Sequence, residues 1–223
     1  MAWWTVSGKT CVAAYDAIGA ASLADSYTDE SGAGNNAAPG VAPTWTSGVG
    51  WTFNGSTQYL TTGITPTGVM TALARFSGAP ACVNCPTLCS GNNGAGNAFQ
   101  LTPGGTANPI WAWGTAFASV AGGYTSGVMA MAATACYYNG SFTVPNVGVF
   151  SGVGQALNVG ARNNGGTPDR FFGGSIQAIA IYSDTLSAGE IATVTAAMQA
   201  LAAPSGAPLL MQMMRLSHTG GML

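Results

Sequence analysis

Charge is what this sequence has least of. Asp, Glu, Lys and Arg together make up 5% of its 223 residues, against about 25% in ordinary soluble chains. Lys9 is the one lysine and His218 the one histidine. Five basic residues scattered along the chain form no patch able to neutralise a phosphate backbone, so no nucleic-acid partner is expected. A net charge of −2 gives no pull toward an anionic membrane, and there is no run of about 18 apolar residues to span one. The N-terminus, MAWWTVSGK, lacks a basic stretch followed by an apolar one. The expectation is a soluble protein without a cleaved export signal.

The shortage of charge also removes most catalytic constellations. Glycoside hydrolysis needs two carboxyls flanking the scissile bond, yet the only glutamates are Glu30 and Glu190, and no strand-like segment carries two acids. His218 lies in a terminal tail, away from any Ser-His-Asp arrangement inside a domain. No catalytic residue is therefore assigned, and the chain is expected not to be an enzyme. Cysteine is sparse and odd in number: Cys11, Cys82, Cys85, Cys89 and Cys136. The cluster CVNCPTLC could turn three thiolates toward one ion, but zinc ribbons use two C-x₂-C pairs, so loop thiols or a local disulfide are the favoured reading.

What the sequence has in quantity is glycine, 33 residues, with eleven prolines. Segments rich in β-branched and aromatic residues lie between them at intervals of about 8–15 residues, the pattern of an all-β sandwich rather than of βαβ units. Residues 170–191, RFFGGSIQAIAIYSDTLSAGEI, spell out a Gly-Gly turn, a strand at Ser175–Tyr182 with apolar side chains on both faces, and a helix start. Ser187 and Glu190 form a capping box. Ile191, Val194, Met198 and Leu201 then follow at helical spacing. Further strands are read at residues 10–15, 68–76, 110–113 and 156–161. Hairpins are read at 51–59, around Asn54-Gly55, and at 128–144, around Asn139-Gly140. Arg75, inside an apolar strand, needs a partner or an exit to water.

The chain divides into a lead over residues 1–10, a domain over 11–203 and an apolar tail over 204–223. Trp3 and Trp4 read as packing or subunit contacts. After Pro204 and Pro208, the tail residues Leu209, Leu210, Met211, Met213, Met214 and Leu216 read as an assembly arm, methionine-rich surface being adaptable to partners. The loop DSYTDESGAGNNAAPG holds Asp25, Asp29 and Glu30. Calcium wants six to eight oxygens, so these three are the candidate ligands of an otherwise cofactor-free chain, although Asx-turn chemistry explains the same composition. Trp111 and Trp113 share one face of a strand, exposed for sugar stacking or buried as core. With Asn92, Asn93, Asn163 and Asn164 in two polar loops, they are the candidate glycan contacts.

The order of six segments is informative: AAYD at 13–16, DESGAGNNA at 29–37, WTFNGSTQYL at 51–60, YYNGS at 137–141, LNVGAR at 157–162 and FFGGSIQAIAIYSDTLSAGEI at 171–191. In this order the chain resembles the laminin-G-like branch of the concanavalin A-like lectin/glucanase superfamily. The resemblance implies an antiparallel two-sheet jelly roll with a short C-terminal helix, and a module of the kind that binds glycans or proteins and occurs in secreted and phage virion proteins. The family's acid after the glycine of the final strand is replaced by Gln177-Ala178, and its FDGxxD-type turn reads Phe53-Asn54-Gly55-Ser56-Thr57-Gln58. With the absence of an export signal, the expectation is a non-enzymatic virion structural protein on the virion surface, a capsid decoration or appendage. Its expected partners are other virion subunits such as the major capsid protein, further copies of itself and surface glycans; a free lectin is the alternative.

Overall fold

The computed structural model describes residues 1–81 and 85–202. In chain order the elements begin with β1 (Cys11–Asp16), α1 (Leu23–Ser26), β2 (Ala38–Val41), β3 (Thr44–Thr46), β4 (Gly50–Thr52) and β5 (Tyr59–Thr61). Next come β6 (Thr71–Ser77), β7 (Cys89–Asn92), β8 (Ala98–Thr102), β9 (Ile110–Gly114), β10 (Ala116–Ser119), β11 (Gly127–Ala132), β12 (Ala135–Tyr138) and β13 (Ser141–Pro145). The chain closes with β14 (Asn158–Val159), β15 (Arg162–Asn164), β16 (Thr167–Asp169), β17 (Ser175–Tyr182) and α2 (Ala188–Ala200).

Two sheets result, so the expected all-β sandwich is what forms. One has the order β13-β12-β11-β6-β17-β4-β3 with β1 also on β17; the other runs β10-β9-β8-β7-β14-β5-β2 with the β15–β16 hairpin attached to β7. The core between them is aromatic, with Tyr15, Trp51, Phe76, Phe99, Trp111 and Phe172 at no more than 1% exposure. Each such ring removes some 150–250 Å² from water, by the order of magnitude usual for aromatic side chains (~200 Å²). Their polar atoms are satisfied inside: Trp111 Nε1 donates to Ala130 O on the opposite sheet at 3.0 Å, and Trp51 Nε1 to Ser26 Oγ at 2.7 Å.

β17 explains why its sequence is apolar on both faces. One face enters the inter-sheet core through Ile176, Ile179 and Ile181. The other, through Ala178, Ala180 and Tyr182, lies under Ile191, Val194 and Met198 of α2. The Ser187–Glu190 capping box is present. At the far end of α2, Arg75 Nη1 donates to Met198 O at 2.6 Å and Leu201 O at 3.0 Å. The strand arginine thus answers the orphan carbonyls of a helix C-terminus.

The hairpin around Asn139-Gly140 forms, with φ of 49° and 79° at the two turn residues, the two positive values a type I′ turn requires. The stretch read as its first arm is two strands, β11 and β12, turning at Ala133 (φ 47°). The hairpin expected at 51–59 does not form. β4 and β5 belong to different sheets, Trp51 pairing with Trp45 and Ile176 while Tyr59 pairs with Val41. Asn54 Oδ1 accepts the N–H groups of Ser56, Thr57 and Gln58, shaping a loop that crosses between sheets.

The lead does not stand off. Trp3 and Val6 pack on the α2 side of the sheet, Trp3 Nε1 donates to Glu30 Oε2, and Trp4 O accepts the Tyr182 hydroxyl at 2.6 Å. Both tryptophans are half-buried, their rings edge to face with centroids 5.5 Å apart. Leu209, Leu210, Met211, Met213, Met214 and Leu216 of the tail lie outside the described residues. None of the described helices is long and apolar enough to cross a membrane.

Candidate functional site

One corner of the nine-stranded sheet gathers the polar loops. β15 runs parallel to β7 with Asn163 opposite Gly91 and Asn164 opposite Asn92, which lays the RNNGGT turn beside the GNNGAGN loop. The loop tips approach closely: a Cβ at Gly94 would sit 3.7 Å from Asn164 Oδ1. Short polar side chains favour such turns because they bond to backbone two to four residues on. Asn92 Oδ1 accepts from Gly94 N, and Asn93 Oδ1 accepts from both Ala95 N and Asn97 N. Asn163 is used on both sides, accepting from Gly166 N and donating to Ala156 O. Left unbonded among the described residues are the Asn92 and Asn93 amide N–H₂ groups and the Asn164 Oδ1 acceptor, with Asn97 Oδ1 unpartnered but buried.

The corner is charged in a chain that has little charge. Arg162 forms a bidentate pair with Asp169 across the hairpin, Nε to Oδ1 at 2.6 Å and Nη2 to Oδ2. Asn164 Nδ2 adds a third donor to that carboxylate. Burial pushes the Asp169 pKa up, but these partners outweigh it and hold the carboxyl below its usual range. Arg170 follows directly in a left-handed backbone conformation, φ 48°. Burial and then the neighbouring Arg162 guanidinium both lower its pKa, Asp169 opposing them. Beyond it Phe171, half-buried, meets half-buried Tyr59 with ring centroids 6.3 Å apart.

The structure thus brings Asn92, Asn93, Asn163 and Asn164 together, and separates them from the tryptophans. Trp111 and Trp113 do share a face, but it is the inner one, and their indoles are 0% and 2% exposed. Trp113 packs on Phe150 at 4.7 Å. Neither indole can stack on a sugar arriving from solvent, which corrects the sequence reading. The opposite face of that sheet carries a polar row, Asn158, Ser90 and Gln100, with Ser90 Oγ and Gln100 Oε1 unpartnered among the described residues. That row is at most 3% exposed and offers no surface to a ligand.

Asp25, Asp29 and Glu30 do not converge. Asp25 accepts from Ser22 Oγ at the start of α1, and Glu30 accepts the Trp3 indole. Asp29 receives the backbone N–H groups of Ala14, Ser31 and Asn35 at 2.9–3.0 Å. The Asx-turn account of this loop is the one its hydrogen bonds follow. Among the described residues no group of three or more Asp, Glu, His or Cys side chains is placed to hold a metal. Cys89 faces the inter-sheet core, where burial pushes its thiol up to about 12. Its side chain is fully buried in the core. Cys85 is disulfide-bonded, and Cys82 lies outside the described residues. Two clefts of about 320 and 460 Å³ flank the N-terminal lead. Of their polar lining, Lys9 Nζ and Thr10 N donate to Thr185 O and Asp184 Oδ2, tying the lead to the turn before α2, while Ser187 and Glu190 are engaged with each other in the cap of α2.

Sequence reasoning missed Arg162, Asp169, Arg170, Tyr59 and Phe171. A signal was present: two of the five basic residues stand eight positions apart in a nearly uncharged chain.

No protein-family model matches the sequence, and neither does any curated protein sequence. Among solved structures, domain 4 of an extracellular GH43 arabinanase from Geobacillus stearothermophilus, in complex with arabinotriose, superposes with a TM-score of 0.59 at 13% identity. That match covers 84% of this chain and 98% of the domain. A mutant of Trypanosoma rangeli sialidase displaying trans-sialidase activity superposes with a TM-score of 0.53 at 13% identity, over 85% of this chain and 33% of the sialidase, so that this chain corresponds to about a third of that protein. At such identities the likeness is one of fold, and the fold is the two-sheet β-sandwich of jelly-roll type expected from the sequence.

Proposed function

We propose that the chain is a non-catalytic carbohydrate-binding module whose contact surface is the corner formed by the 92–97 loop, the β15–β16 hairpin and the Arg170–Phe171 segment. The observation that carries this reading is the parallel β7–β15 pairing. It sets the amide groups of the two loops together, and the same hairpin leads directly into the Arg170 guanidinium and half-buried Phe171, the kinds of group that satisfy hydroxyls and pack against the C–H face of a sugar ring. The arabinanase domain of the same fold, captured with arabinotriose, supports it. The absence of catalysis is supported by the carboxylates, all seven of which accept structural hydrogen bonds. Besides Asp25, Asp29, Glu30 and Asp169, Asp16 bonds Gly19 N, Asp184 bonds Thr10 N and Glu190 caps α2. Each is thus engaged in a structural contact, as suits carboxylates without a catalytic role.

The test is a glycan array followed by titration calorimetry with the native chain, Asn93→Ala and Asn164→Ala. Each variant loses one sugar hydrogen bond, expected to weaken binding about five- to tenfold. Binding unaltered in both variants refutes the site, and no glycan retained at millimolar concentration refutes the function.

The setting we propose for this module is a virion surface, as a decoration or appendage held by other subunits. Phe117, Val147 and Val149 are 61–86% exposed at the open β10 edge, and an uncharged edge with apolar side chains is one that proteins normally protect. Light scattering on residues 1–203 against the full chain tests it. Loss of oligomers or of particle binding supports an assembly role, and two identical monomers oppose it.

A further inference from the structure

We infer that this corner selects acidic saccharides and that the Arg170 guanidinium is the group that meets the ligand's anion. The inference rests on the glycan-binding reading and adds the class of sugar.

Four cationic side chains lie among the described residues, and three are occupied. Lys9 Nζ donates to Thr185 O at 2.9 Å, Arg75 to the carbonyls ending α2, and Arg162 to Asp169. Arg170 makes no side-chain hydrogen bond within the described residues, and its charge is not cancelled locally. Its electrostatic neighbours are Arg162, which repels it, and Asp169, whose two oxygens are already held by the Arg162 fork. The other six carboxylates belong to the 16–30 segment and to the 184–190 turn. The corner therefore carries two guanidiniums against one carboxylate, a positive spot on an acidic protein of pI about 4.9. A local field of that sign draws anions to it.

The backbone points the same way. At φ 48° an arginine is strained where glycine would be at ease. Strain of this kind persists at positions where a particular side chain is needed, and what arginine supplies here is a planar, half-exposed cation suited to a carboxylate's two oxygens. Phe171, next in the chain and packed on Tyr59, and Asn164, bonded to Asp169, offer apolar and amide contacts to the sugar that bears such a group.

The experiment compares acid and neutral forms of one scaffold on the full-length protein. Oligogalacturonate is titrated against its methyl ester, and sialyllactose against lactose. The acid member of at least one pair is expected to bind about tenfold or more tightly, with affinity falling as salt rises. Arg170→Gln is expected to abolish the preference. Arg170→Gly is expected to abolish it too while melting no lower than the native chain, which separates loss of recognition from loss of fold. Equal binding of acid and neutral members, or a preference that survives Arg170→Gln, overturns the inference and leaves the glycan-binding module standing. No binding by either member of either pair overturns the inference, and the glycan array alone decides the module.

Discussion

Replacing Asp29 tests whether the acid-rich loop is a clasp or an ion site. Asp29 is 6% exposed and its carboxylate holds three backbone N–H groups: Ala14 and Ser31 on Oδ1, Asn35 on Oδ2. In Asp29→Ala the N–H of fully buried Ala14 loses its acceptor, at about 1–3 kcal/mol, and the two loop donors, closer to water, add about 0.5–1 kcal/mol each. A total near 3–4 kcal/mol corresponds to about 6–16 °C in melting temperature for a chain of this size. Asp29→Asn is the sharper variant. Its oxygen can keep Ala14 and Ser31, while its N–H₂ faces the Asn35 donor, so its cost is expected to be about half as large.

Acid titration supplies a second reading. Burial pushes the Asp29 pKa up, but the hydrogen bonds to its charged form overcome this and hold it below the ordinary 3.8. A carboxyl lowered in the folded state stabilises the protein above its unfolded pKa and loses that contribution as pH falls through the folded value. The stability gap between the native protein and Asp29→Asn should therefore be constant near neutrality and close below about pH 4. Urea denaturation at a series of pH values, with calcium chloride or EDTA, measures all of this. An Asp29→Asn variant as stable as the native chain, or a calcium-dependent midpoint that the variant abolishes, would refute the reasoning.

Two further outcomes follow from the packing. Arg75→Leu removes the donor to Met198 O and Leu201 O; it should cost about 2 kcal/mol and raise hydrogen exchange in the last turn of α2 ahead of the strands. Trp111→Ala should destabilise by about 3–5 kcal/mol and leave glycan affinity unchanged in the folded fraction, whereas an exposed platform would give the opposite pair of results.

The parts of the fold legible in the sequence are those encoded by neighbouring residues. The capping box needs only Ser187 and Glu190, and the Asn139-Gly140 turn is set by two residues whose backbone preferences match a type I′ hairpin. Asn54-Gly55 carries the same dipeptide and misleads, because there the Asn side chain organises a crossing between sheets; tertiary pairing decides, and a local signal cannot report it. The tryptophans show a related boundary. Alternation places Trp111 and Trp113 on one face, but which face is inner depends on the opposite sheet, where Ala130 O waits for the indole. The alternate positions Ala112 and Gly114 were a usable hint, since the side that must fill space carries the bulk. The site was half legible: the asparagines announce their loops by composition. Arg170 and its neighbours acquire meaning only when the hairpin is laid against β7.

The partners of β17 have a bearing on how the protein is made. β1, β4 and β6 all precede residue 78, yet each finds its neighbour in a strand that begins at Ser175. On the ribosome these three wait through about a hundred further residues, with isoleucine-lined positions between them unfilled. The eight-stranded sheet cannot close until β17 has been made. Folding is accordingly expected to be late and slow, and chains that stop before Ser175 should be handed to chaperones or proteases rather than persist as a partial domain.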